Sequence, residues 1–122
     1  KLPIQYALSY PNRLPSTSER FNFLDYPNLS FEKPDTKTFS CLMLAFEAMK
    51  KGGNAPCVLN AANEIAVQLF LKEKIPFTKI ADLIEKTIAK TSFISKPSYE
   101  DYVNSDKEAR KTAMDFYPTF AS

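Results

Sequence analysis

Asn60, Asn63 and Glu64 invite a chemical reading first, because one helical turn brings two carboxamides and a carboxylate onto neighbouring positions. Asparagine is a poor helix former, so two in one turn need a reason. One reason is local: Asn60 caps a helix and Asn63 or Glu64 closes a capping box. The other is an interface, where the three side chains meet polar groups of another domain. Capping asks for less and is preferred.

Other chemistry is limited by what the residues allow. The chain has no histidine and no tryptophan, which rules out Ser-His and Cys-His nucleophile pairs and leaves carboxylates or thiolates for any transition metal. Its two glycines, Gly52 and Gly53, are adjacent, so neither a GxGxxG turn nor a P-loop can be written into it. The carboxylates are dispersed at solvent-face spacing. The close pairs, Glu100 with Asp101 and Asp106 with Glu108, sit among polar neighbours that offer no burial to tune them. Cys41 and Cys57 fit neither a CxxC pair nor a zinc pattern and read as small core residues in a reducing compartment. A disulfide between neighbouring helices is the alternative, if their Cα atoms come within reach. No catalytic, cofactor-binding or metal-ligating residue is assigned.

A net charge of +2, from 16 basic and 14 acidic side chains, gives no electrostatic reason to expect nucleic acid or an anionic membrane. Residues 76–92 and 98–116 could be read as a helix-turn-helix, but the candidate recognition helix lacks a concentrated basic face. No run of 18 apolar residues or leader-like segment is visible. The start at Lys1 followed by scattered prolines suggests a piece of a longer polypeptide.

The elements that would carry these residues follow from periodicity. Five of the nine prolines fall in residues 1–36, which predicts an extended arm. Its aromatic content is too high for a solvated linker. Phe21 with Phe23, and Leu29 with Phe31, alternate like short strands, whereas Ile4, Tyr6 and Leu8 fit either a strand or a helix opened by Pro3.

From Asp35 onward the period becomes that of a helix. Cys41, Leu42, Ala45, Phe46 and Met49 form an apolar stripe on a helix over 37–51, capped by Asp35 or Thr36 and stopped at Gly52. A second stripe runs through Val58, Leu59, Ala62, Ile65, Ala66, Leu69 and Phe70, with Lys72 and Lys74 suiting its C-terminal dipole. A third helix starts at a Thr78 cap, buries Phe77, Ile80, Ala81, Ile84 and Ile88, and ends near Lys90. Ser98 with Asp101 caps the last segment, where Asn104-Ser105-Asp106 predicts an interruption. The expected fold is all-α: a small bundle of four to five short helices over 37–122, preceded by the 1–36 arm.

Four blocks in order resemble one family. GGNAPCVLNAANEIAVQLFL (52–71), PIQYALSYPNR (3–13), LSFEKPD (29–35) and FSCLMLAFEA (39–48) are similar to segments of 1-deoxy-D-xylulose 5-phosphate reductoisomerases, nearly along the whole chain and least specifically after Thr91. The resemblance implies the carboxy-terminal helical domain of a homodimeric enzyme of the non-mevalonate isoprenoid pathway. With NADPH and Mg²⁺ or Mn²⁺ that enzyme converts 1-deoxy-D-xylulose 5-phosphate to 2-C-methyl-D-erythritol 4-phosphate in the bacterial cytoplasm or a plastid. It further implies that the metal and phosphate ligands lie upstream of Lys1, so that this segment alone is inactive and its partner is the catalytic domain of the same polypeptide. Block 3–13 departs from the family in being severed from the substrate-closing loop that normally precedes it. The alternative is an independent helical interaction module with the arm aromatics as its recognition surface.

Overall fold

Ser98 sets the start of the longest helix: its hydroxyl accepts the Asp101 N–H at 3.2 Å while the Asp101 carboxylate accepts the Ser98 N–H at 2.9 Å. This is the reciprocal capping box read in the sequence. The computed structural model describes residues 2–15 and 19–120. Its helices are α1 (Leu2–Ser9), α2 (Ser40–Lys51), α3 (Ala55–Leu71), α4 (Ile80–Lys90) and α5 (Tyr99–Phe116), with 3₁₀ turns at Phe77–Lys79 and Tyr117–Thr119. The fold is the expected all-α bundle, and no strand occurs among the described residues.

The chain divides into two compact units, Lys1–Lys33 and Pro34–Ser122. Within the first, Pro3 opens α1, so the undecided segment around Tyr6 is helical. Gln5 donates to the Pro15 carbonyl at 3.2 Å, and the Arg13 guanidinium lies over the Tyr6 ring. Phe21 and Phe23 are not strand neighbours. Asn22 Oδ1 accepts the Leu24 N–H at 3.0 Å, and the resulting turn sets Phe21 edge-on to Phe23 and stacked on Tyr26. Leu29 and Phe31 are exposed and in no strand. Lys1 and residues 16–18 of the expected arm lie outside the described residues.

The second unit is built on α3. Ala61, Ala62 and Ala66 are fully buried, as are Ala109 and Ala113 of α5. Ala61 packs with Val58 and with Ala109 of α5, where small side chains let the helix axes approach closely, while Ala62 and Ala66 join the larger core cluster. Leu83 and Ile84 of α4 join Leu69, Ile75 and Ile80 in the larger core cluster, against which Phe116, Tyr117 and Phe120 pack. At its C-terminus α3 stops with Glu73 at φ 55° and with the Lys74 N–H bonded to the Leu69 carbonyl at 2.9 Å, a left-handed stop made without glycine.

Several expectations change. Helix α2 begins at Ser40 rather than near 37, because Asp35 Oδ1 accepts the Lys37 and Thr38 N–H groups and closes a separate turn first. Its buried face is Leu44 and Ala48, whereas Cys41, Leu42, Ala45, Phe46 and Met49 are exposed. Thr78 lies inside a 3₁₀ turn instead of capping α4, and Phe77 is 69% exposed, edge-on to Phe70. Helix α5 runs unbroken through Asn104-Ser105-Asp106. Ser105 there is buried and hydrogen-bonded to another helix, so a tertiary contact overrides its weak intrinsic preference.

Candidate functional site

Asn60 lies inside α3, which starts at Ala55, so it does not cap that helix; the capping position belongs to Asn54. The Asn60 amide instead donates to Glu64 Oε1 at 3.1 Å, one turn on. Glu64 Oε2 accepts from the Arg110 guanidinium of α5 at 2.7 Å, and Arg110 also binds both carboxylate oxygens of Asp106 at 2.8 and 3.0 Å. The structure thus links Asn60 and Glu64 in a ladder that ends on α5. Asn63 is half-buried and outside the ladder's hydrogen bonds, so the three singled-out residues are not one cluster.

The ladder's electrostatics follow its geometry. Hydrogen bonds from Arg110, then from Asn60, hold the Glu64 carboxyl below the usual carboxylate range. The hydrogen bonds to Asp106 and Glu64 push the Arg110 guanidinium still higher than its ordinary value, so it stays charged. Both ion pairs are a third to a half exposed, which screens them. Glu64 and Asp106 both serve to hold Arg110, and a carboxylate held low, as Glu64 is, is the wrong species for general acid work at neutral pH.

Asn54 is the polar residue that periodicity missed. Its side chain is 1% exposed. Its amide donates to the Ser92 carbonyl at 2.8 Å and to Ser105 Oγ at 2.9 Å, and its Oδ1 accepts the Ile94 N–H at 2.9 Å. The Asn54 N–H also bonds to the Ile94 carbonyl at 3.0 Å, so this one residue ties the start of α3 to the loop before α5 and to α5 itself. Gly53 makes the approach possible: it sits at φ 56°, and a Cβ there would lie 2.2 Å from the Ile94 carbonyl oxygen. The signal available in the sequence was the Gly-Gly-Asn run just before Pro56, a turn followed by a helix start.

The cysteines do not meet. Both are free; Cys57 is half-buried with its Sγ 3.6 Å from the Tyr102 carbonyl, and Cys41 is exposed, which corrects the expectation that both are core residues. Partial burial pushes both thiols up, with the Asp106 charge adding to this at Cys57 and the Arg110 charge opposing it, which disfavours nucleophilic use. Among the described residues no three His, Cys, Asp or Glu side chains are grouped to hold a metal ion. Asp101 is committed to the Ser98 cap, and Asp106 and Glu64 to Arg110. Among the described residues no helix is long and apolar enough to cross a membrane.

Residues 1–112 match the family model described as DXP reductoisomerase C-terminal domain. The chain is 53% identical over 114 residues to 1-deoxy-D-xylulose 5-phosphate reductoisomerase of Phocaeicola vulgatus, covering 93% of this chain and 30% of that protein. The same enzyme of Bacteroides thetaiotaomicron is 51% identical over 118 residues, covering 97% of this chain and 30% of its own length. Among solved structures, the Zymomonas mobilis 1-deoxy-D-xylulose 5-phosphate reductoisomerase in complex with NADPH superposes with a TM-score of 0.83 at 41% identity, covering 95% of this chain and 31% of that one. A DOX-P reductoisomerase in complex with NADPH, fosmidomycin and magnesium superposes at 0.82 with 38% identity, covering 97% of this chain and 31% of that one. The chain therefore spans about 30% of the length of the curated relatives it matches.

Proposed function

This chain belongs to the DXP reductoisomerase family, matching its C-terminal domain over residues 1–112, and from that premise we propose that it is the supporting domain of such an enzyme. The whole polypeptide would isomerise and reduce 1-deoxy-D-xylulose 5-phosphate to 2-C-methyl-D-erythritol 4-phosphate with NADPH and Mg²⁺ or Mn²⁺. It would work as a cytoplasmic homodimer, with residues 1–36 as the arm leaving its catalytic domain and 37–122 as the helical domain. The similar solved structures bound to NADPH and to magnesium support the cofactor assignment.

The observation that carries the supporting role is where the ordered polar groups are spent. Asn54 bonds to Ser105 and Glu64 to Arg110 between the α3 and α5 segments, with Asp106 bracing Arg110 within α5, which holds two helices in register. The carboxylates of this region are poor Mg²⁺ ligands as they stand, since Asp101 serves the Ser98 cap and Glu64 and Asp106 are paired with Arg110. On this reading hydride transfer and metal chemistry belong to the rest of the polypeptide, and this segment's contribution is rigidity.

The test is NADPH oxidation with 1-deoxy-D-xylulose 5-phosphate and Mg²⁺ by three proteins: the complete enzyme, this chain, and the complete enzyme truncated before Lys1. Turnover by the complete enzyme only is the expected result, and turnover retained by the truncated form overturns the supporting role. Asn60 and Glu64 are held within the α3–α5 ladder, which leaves Asn63 as the residue to test for an interface with the catalytic domain. Asn63→Ala in the complete enzyme should then lower kcat more than its loss of thermal stability explains; a purely thermal effect removes that assignment.

A further inference from the structure

Helix α2 is apolar on both sides. Leu44 and Ala48 turn into the bundle, while Phe39, Leu42, Met43, Phe46 and Met49 are exposed, Phe46 by 53% and Met49 by 69%. At 3.6 residues per turn, positions 42, 46 and 49 form one stripe flanked by 39 and 43, about half a turn from 44 and 48. From Phe39 to Met49 the only charged residue is Glu47, and it lines the groove beside Leu44 and Ala48 instead. Apolar residues scattered singly over a surface need no explanation, but five large ones on one helix face do. A helix apolar all round is an interior element.

The matched relatives supply what would lie on the other side. This chain covers 30% of their length and matches their C-terminal domain, so in those relatives about 70% of the polypeptide lies outside the matched segment. A second copy fits the face less well. A stable dimer needs roughly 800 Å² and some 20–30 residues a side, whereas five side chains on one helix suffice for a domain already tethered at high effective concentration.

We propose that the α2 face of Phe39, Leu42, Met43, Phe46 and Met49 is the surface on which the preceding part of the same polypeptide docks. The proposal rests on the supporting-domain reading above and locates its contact. Helix α2 is then shared between two cores, Leu44 and Ala48 serving one and Phe46 and Met49 the other.

The methionines provide the test within one molecule, since oxidation to the sulfoxide follows exposure. Met114 on α5 is 45% exposed and Met49 is more exposed still. In the complete enzyme treated with dilute hydrogen peroxide and read by peptide mass spectrometry, Met49 should oxidise about tenfold more slowly than Met114. Phe46→Glu should bring the two rates together. Met49 reacting as fast as Met114 in the unsubstituted enzyme overturns the proposal. So does protection of Met49 that vanishes when the enzyme is diluted to monomers, because that gives the face to a second copy. A free Met49 in an enzyme that still needs this region for turnover overturns the α2 contact and leaves the supporting role standing. A protected Met49 in an enzyme whose truncated form stays active does the reverse.

Discussion

Helices α2 and α3 are neighbours in sequence and both are rich in apolar residues, yet they place them in opposite ways. Helix α3 buries small residues, with Ala61, Ala62 and Ala66 fully enclosed, while α2 turns Leu44 and Ala48 inward and leaves Phe46 and Met49 outside. Within this unit close approach of helices decides burial, and side-chain size does not. Alanine brings α3 against α5, and large residues face outward wherever no second helix comes near.

Four substitutions in this chain would break or sharpen that contrast. The largest effect is expected from Leu83→Ala, which removes a fully buried side chain from the core joining α3 and α4; urea unfolding should show a loss of about 3 kcal/mol. Asn54→Ala should follow at about 2 kcal/mol, because the Ile94 N–H and Ser105 Oγ are left without their partner. Ser98→Ala should cost about 1 kcal/mol by removing the α5 cap. Phe46→Ser should change the stability of this chain by less than about 0.5 kcal/mol, and a larger loss would mean that the α2 outer face is already packed against this chain itself.

The cap also predicts a pH effect. Hydrogen bonds from the backbone and side chain of Ser98 hold the Asp101 carboxyl below its ordinary value, and those from Arg110 and Asn60 do the same for Glu64. A carboxyl depressed in the folded state stabilises it above the unfolded pKa and loses that contribution as pH falls through the folded pKa. Stability should therefore decline on acidification through and below about pH 4, and Ser98→Ala should flatten the decline.

The number of helices, their ends near Lys51 and Lys90, and the Ser98 cap were legible because each rests on local signals: a glycine stop, a 3.6 period, a reciprocal Ser-Asp pair. The facing of α2 was not legible. Periodicity selects the most hydrophobic stripe, and on a helix with two apolar faces that stripe here is the outer one. The break expected at Asn104-Ser105-Asp106 failed for a related reason, since Ser105 bonds to Asn54 at the start of α3, a partner that no short window contains. Asn60 was mistaken for a cap because the true capping position, Asn54, lies six positions earlier between a Gly-Gly turn and Pro56. Of the candidate residues, Glu64 has a partner on another helix, Arg110, that its own spacing could not reveal.

The Asn54 bracket also bears on the order in which the molecule can be assembled. Its bonds reach Ser92, Ile94 and Ser105, separations of 38, 40 and 51 positions. Contacts this distant in sequence close late, because a long loop must be gathered before they form. On a ribosome, α3 is complete well before its start can be latched, and every nascent chain ending short of Ser105 leaves the bracket open.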